Sequence, residues 1–185
     1  MTLVKDEEKK AEYDHLVRTH SRALFSYSLR RLNDPTSCED VVAETLLIAW
    51  RRWDKMPAPD KELAWLYAIA FRVLSNYRRS RDRRDRLHVR LAGERDSQSD
   101  DDESDTVNAV VLVRALGQLR PRERELLEFV YWERFSYRDI ALIVGTSENA
   151  VGIRINRAKG KLRTLLELPQ EESPTLRNPR GEFDS

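Results

Sequence analysis

Cysteine is almost absent from this sequence: Cys38 is the only one in 185 residues. A lone thiol makes no internal disulfide and no multi-cysteine zinc site, which fits a reducing compartment and makes the cytoplasm the expected location. Glycine and proline are also scarce, at 6 and 7 residues, and aromatics make up only 8%. That balance excludes turn-rich β structure and bulk disorder and suits helices. Long apolar runs are missing too: the longest, residues 63–71, has nine residues against the roughly 18 a membrane span needs. The opening MTLVKDEEKKAEYD has no apolar stretch behind its lysines. Neither a signal peptide nor membrane insertion is therefore expected. Net charge is nearly absent as well, since 33 basic and 32 acidic side chains leave +1. Taken alone, that sum argues against a nucleic-acid partner.

Resolved along the chain, the same charges segregate. Residues 1–95 carry 20 basic and 15 acidic side chains, and residues 106–168 carry 11 and 7. The balancing acid sits in SQSDDDESD at 97–105 and in the tail. Two basic blocks joined by an acidic connector form the charge pattern of a nucleic-acid-binding protein, although a solvated charged run gives the same signal.

Apolar periodicity predicts helices throughout. Leu16, Ala23, Leu24 and Tyr27 recur at helical spacing within 12–32, closed by Asn33-Asp34-Pro35. A second helix starts near Ser37, read as its cap, and ends before Met56-Pro57-Ala58-Pro59. A third runs over 61–84, apolar first and arginine-rich later. Residues 91–106 have almost nothing to bury and read as a flexible linker, reaching about 50 Å when extended. Beyond them come a short helix from 107 to 119, another opened by Pro121, and a pair at 136–144 and 147–166. The fold class expected is all-α, with two small helical domains at 1–90 and 107–168, the acidic linker at 91–106 and a disordered tail at 169–185.

The most specific feature is FSYRDIALIVGTSENAVGIRINRAKGKLRTLL, residues 135–166. A short helix, Gly145 for a left-handed turn, Ser147 as a capping side chain and a basic amphipathic helix together make a helix-turn-helix. Val151, Ile155, Ala158, Leu162 and Leu165 form the inward stripe of its second helix. Ser147, Glu148, Asn149, Arg154, Asn156, Arg157 and Lys159 are left for duplex DNA, where Arg and Asn match guanine and adenine edges. Nine basic residues against three acidic lie between positions 71 and 95, next to Trp65, Tyr67, Phe71 and Tyr77. Cations engage phosphates and rings stack on unpaired bases. Leu66, Ile69, Phe71 and Val73 are assigned to the core, while Trp65 and Tyr77 stay open.

At this point the residues resemble a known family: the compact sigma factors of the extracytoplasmic-function group, which direct bacterial RNA polymerase to promoters. DVVAETLLIAW at 40–50 is similar to the family's polymerase-docking pattern D-L-V-Q-E-T-F-L-x-A-W. AWLYAIAFRVLSNYRRSR at 64–81 resembles its minus-ten segment, and 119–162 its minus-thirty-five domain. The resemblance implies that Asp40, Glu44, Thr45, Trp50 and Arg51 dock on core polymerase. It implies that loop 54–60 captures an extruded base of the melted non-template strand, and that Trp65, Ser75, Asn76, Arg78 and Arg79 serve minus-ten DNA. An anti-sigma factor is an implied partner. No cofactor, metal or nucleotide hydrolysis is implied. The chain departs from the family at Ala43, Ile48, Gly152 and Ile153, and the absent side chain at Gly152 suggests a close backbone approach to DNA. The acidic linker suggests that free protein is poorly attracted to DNA until polymerase separates the domains.

Rival readings leave more unexplained. An enzyme finds no phosphate-binding glycine loop and no HExxH, and His15 and His20 do not share a helix face. Cys38 has no catalytic partner. A free-standing helix-turn-helix regulator acting on duplex DNA without polymerase leaves segments 40–50 and 65–81 without a role, and a helical adaptor that binds only protein leaves the basic faces without one.

Overall fold

The computed structural model describes residues 2–89 and 107–167, and every regular element among them is helical. Seven α-helices follow in order: α1 (Thr2–Leu32), α2 (Pro35–Arg51), α3 (Glu62–Val89), α4 (Val107–Gln118), α5 (Pro121–Tyr131), α6 (Tyr137–Val144) and α7 (Glu148–Glu167). Single 3-10 turns at Trp53–Lys55 and Pro59–Lys61 connect α2 to α3. The expected linker at 91–106 and tail at 169–185 lie outside the described residues. So does the acidic run.

In the first domain α1, α2 and α3 pack on one another around Leu16, Leu24, Val41, Ala49, Leu66 and Val73, all at most 4% exposed. Asn33, at φ 50°, ends α1 in the left-handed conformation that asparagine tolerates. The cap of α2 is Asp34, whose carboxylate accepts the Ser37 amide at 3.0 Å, and Pro35 takes the first-turn position where its missing N–H costs nothing. This corrects the reading of Ser37 as cap. Ser37 is buried inside the helix, with its hydroxyl bonded to Asp34 and to Tyr77. That second bond settles Tyr77 as a tie between α3 and α2. Helices α1 and α3 both outrun the apolar pattern that predicted them, reaching back to Thr2 and on to Val89, because Lys, Arg and Glu are good helix formers even with nothing to bury.

In the second domain Ser136 caps α6 by accepting the Asp139 amide at 3.2 Å. Gly145, at φ 70°, makes the left-handed exit, and Ser147 opens α7 by accepting the Ala150 amide at 3.2 Å. Ile140 and Ile143 of α6 then meet Val151, Ile155 and Ala158 of α7 in a shared core, all five at most 1% exposed.

The two domains touch. Helix α6 packs on α3, so that residues 66–70 of α3 are buried on every side. Tyr27 and Tyr67 of the first domain meet Phe129 and Phe135 of the second, with centroids 5.7 Å apart for Tyr27–Phe129 and 4.8 Å for Tyr67–Phe135. Above these rings the Arg31 guanidinium lies 3.8 Å from the Tyr27 centroid. Its Nε donates to Glu125 Oε1 at 3.1 Å, and its Nη2 faces Glu128 Oε2 at 2.7 Å as a charge pair without a directed hydrogen bond. Arg30 pairs with Glu133, which also accepts the Tyr67 hydroxyl at 2.7 Å. Lys61 reaches Asp139 at 3.1 Å. Burial is the first reason the Tyr67 and Tyr27 hydroxyls are held far above the usual range, and for Tyr67 the Glu133 carboxylate adds to it.

Candidate nucleic-acid interface

Three exposed faces carry the residues singled out in the sequence. The first is on α2. Residues 40, 44, 47 and 51 fall on one stripe at helical spacing, and Asp40, Glu44 and Arg51 are exposed there. Leu47 stands among them at 46% exposure and was missed by sequence reasoning; its spacing from Asp40 and Glu44 was the available signal. Trp50 is half-buried beside the stripe, edge-on to Tyr13 at 4.9 Å and under the Lys9 ammonium at 4.4 Å. Thr45 is elsewhere. It is wholly buried and its hydroxyl donates to the Val41 carbonyl at 2.7 Å, so it builds the helix's inner side and is out of reach of a partner.

The second face is the later half of α3. Asn76 and Arg79 are exposed, and Arg79 Nη2 donates to Asn76 Oδ1 at 2.7 Å. Arg72 shares their stripe at helical spacing, is exposed, and was not among the expected residues. Trp65 lies on the same line but is half-buried against the core. Ser75 and Arg78 are only partly available: the Ser75 hydroxyl donates to the Phe71 carbonyl at 2.7 Å, and Arg78 Nη2 to the Arg31 carbonyl at 3.3 Å. Within loop 54–60, Asp54, Lys55, Ala58, Pro59 and Asp60 are exposed. The loop is stiffened by its prolines and by its two 3-10 turns.

The third face is on α7. Glu148, Asn149, Arg154, Asn156 and Arg157 are exposed, and Ser147 is exposed while spending its hydroxyl on the cap. Lys159 is half-buried, 5.4 Å from the Tyr131 ring; the Tyr131 hydroxyl raises its pKa, and Tyr137 adds to that. Tyr137 also explains Gly152. A Cβ built on Gly152 would meet the Tyr137 ring at 3.7 Å, so the space above this glycine belongs to α6. Alanine fits there at ordinary contact distance from the ring. The Tyr137 ring therefore shares the space beside Gly152 where a close DNA approach was expected.

Among the described residues no cluster of His, Cys, Asp and Glu is arranged to hold a metal, and no helix is long and apolar enough to cross a membrane. Cys38 is buried, and burial raises its pKa. It packs, with no nucleophile's environment around it.

Comparison with known proteins matches residues 16–84 to sigma-70 region 2 and residues 109–162 to sigma-70 region 4. The ECF RNA polymerase sigma factor SigL of Mycobacterium tuberculosis is 31% identical over 165 residues, covering 85% of this chain and 88% of that protein. Among solved structures, CnrH in complex with the cytosolic domain of CnrY superposes with a TM-score of 0.57 at 26% identity, over 85% of this chain and 88% of that one. The sigma factor RpoE from Bartonella quintana, bound to the anti-sigma factor NepR, shares the fold with a TM-score of 0.60 at 23% identity, over 86% and 99%.

Proposed function

Since the chain belongs to the sigma-70 family as an extracytoplasmic-function type RNA polymerase sigma factor, non-catalytic and directing polymerase to promoters, we propose that its three exposed faces divide that task. The α2 stripe of Asp40, Glu44, Leu47 and Arg51, with Trp50 beside it, docks on core polymerase. The α3 stripe of Arg72, Asn76 and Arg79, with loop 54–60, holds the melted non-template strand of the minus-ten element. The α7 face of Asn149, Arg154, Asn156 and Arg157 enters the major groove of the minus-thirty-five duplex. The observation that carries this assignment is the helix-turn-helix itself, which buries Val151, Ile155 and Ala158 and turns the polar face of α7 outward. Binding unpaired bases offsets their unstacking, a few kcal/mol per flipped base, so melting needs no nucleotide hydrolysis.

Helix α6 lies on α3, the helix assigned to minus-ten DNA. Elements at minus ten and minus thirty-five are some 25 base pairs apart, about 85 Å of B-DNA at roughly 3.4 Å per pair. Engaging both therefore requires the domains to part, with residues 91–106 as tether, and polymerase is the agent that parts them. The protein works in the cytoplasm. An anti-sigma factor is its expected antagonist, a reading supported by the complex of the sigma factor RpoE with the anti-sigma factor NepR.

Run-off transcription with core polymerase over a promoter library tests this reading: transcripts are expected only when both proteins are present, and duplex binding without core dependence would overturn it. Asn76→Ala is expected to slow promoter opening roughly tenfold, the worth of one good hydrogen bond, with core affinity unchanged. Equal loss in both assays would reject the role. Leu47→Asp is expected to lower core affinity by about tenfold or more, because it places an unpaired carboxylate in an interface, with thermal stability unmoved since the position is exposed. Unchanged affinity for core would remove Leu47 from the docking face.

A further inference from the structure

We infer that Ile153 reads the methyl group of a thymine in the upstream promoter element. Successive helical residues turn by about 100°, so the direction opposite the buried stripe of Val151, Ile155 and Ala158 falls on Ile153. Its side chain is 46% exposed, with the exposed polar residues Asn149, Asn156 and Arg157 around it. Single exposed apolar residues are common on protein surfaces. The setting is what distinguishes this one. The neighbouring Gly152 has no side chain and is overlain by Tyr137, and Gly160, two turns on along the same face, has open space where a Cβ would be. Ile153 therefore stands at the centre of the face that, on the reading proposed above, enters the major groove, an apolar side chain among polar ones with open space over Gly160 two turns on.

The chemistry of the groove then selects the partner. Adenine, guanine and cytosine present donors and acceptors there, and the one apolar group on any unmodified base edge is the C5-methyl of thymine. An isoleucine pressed against a donor or acceptor strips water from it and returns no hydrogen bond, which disfavours every other base. Asn149, Asn156 and Arg157 supply hydrogen bonds to flanking groups, and Ile153 supplies discrimination by shape and methyl contact.

The test uses holoenzyme assembled from the full chain and core polymerase, on a promoter duplex that supports run-off transcription. Each thymine of the upstream element, on either strand, is replaced singly by deoxyuridine, which removes the methyl and keeps the base pair. One position is expected to lose about fourfold in affinity, the worth of one buried methyl group at roughly 0.8 kcal/mol. Holoenzyme carrying Ile153→Ala is expected to bind thymine and deoxyuridine promoters equally, and Ile153→Val to keep part of the preference. No methyl-sensitive position, or one whose sensitivity persists in Ile153→Ala, overturns the inference. A scrambled upstream element separates the two levels. If scrambling leaves affinity unchanged, the major-groove assignment of α7 fails with everything built on it, whereas loss on scrambling without any methyl sensitivity rejects the role of Ile153 alone.

Discussion

Arg31→Ala is expected to open the free protein. The guanidinium is 3% exposed, stacked on Tyr27 and facing Glu125 and Glu128, whose side chains are 15% and 14% exposed. Deleting one partner of a buried ion pair costs about 3–5 kcal/mol, because the remaining charge stays out of water without compensation. Here the chain has an escape that a single-domain protein lacks. Both glutamates are on α5 and Arg31 is on α1, so moving the domains apart rehydrates the carboxylates without unfolding either half. The expected readout is a larger radius of gyration in small-angle scattering, with helix content unchanged. An unchanged scattering profile would show that the contact does not depend on Arg31. Combining Arg31→Met with Glu125→Leu and Glu128→Leu is expected to keep the closed form, since apolar side chains of similar volume replace a buried charge cluster at little cost.

Phe129→Ala is expected to cost the second domain itself about 3–5 kcal/mol, the usual loss when a buried ring is cut to a methyl group. Phe129 is wholly buried, with centroids 6.2 Å from Phe135, 5.7 Å from Tyr27 and 6.4 Å from both Tyr67 and Phe71. Neighbours on both sides line the cavity it would leave. Parting the domains relieves only one side, because Leu126 and Leu127 of α5 are buried beside it. The urea midpoint should therefore fall whether or not the variant opens, and Phe129→Leu should recover most of the loss. A change under about 1 kcal/mol would mean that the ring is expendable to the fold.

Much of this molecule was legible from periodicity and punctuation. Gly145 and Ser147 marked the helix-turn-helix because left-handed backbone and a capping hydroxyl are local demands, met by local residues. The stripe of Val151, Ile155 and Ala158 followed from spacing alone. Thr45 was misplaced by the family resemblance alone: its helical spacing from Val42 and Ala49 put it on the apolar stripe, where a threonine that bonds the carbonyl four residues back is buried as easily as a valine. Ser37 was read as the cap of α2, but Pro35 already occupies the first turn, where proline fits, and that makes Asp34 the cap. The contact between domains was the hardest to read. Arg31 and Glu125 are 94 positions apart, and no local pattern announces such a pair. Among the aromatics near the basic run, Phe71 was assigned to the core from the sequence, while Trp65 and Tyr77 stayed open between core and base stacking. The structure gives Tyr67 to Phe135 and Phe71 to the rim of Phe129.

In the ion pairs that cross the contact among the described residues, the cations belong to the first domain and the carboxylates to the second: Arg30 with Glu133, Arg31 with Glu125 and Glu128, Lys61 with Asp139. Separation of the domains is thus an ion exchange. On the proposed division of faces, the first domain gives up four carboxylates and recovers the valence of three cations in the domain that carries α3, the helix proposed for minus-ten DNA. Added salt then acts in opposite directions on the two halves of the cycle, screening the carboxylate contacts that hold the chain shut and weakening the phosphate contacts that follow.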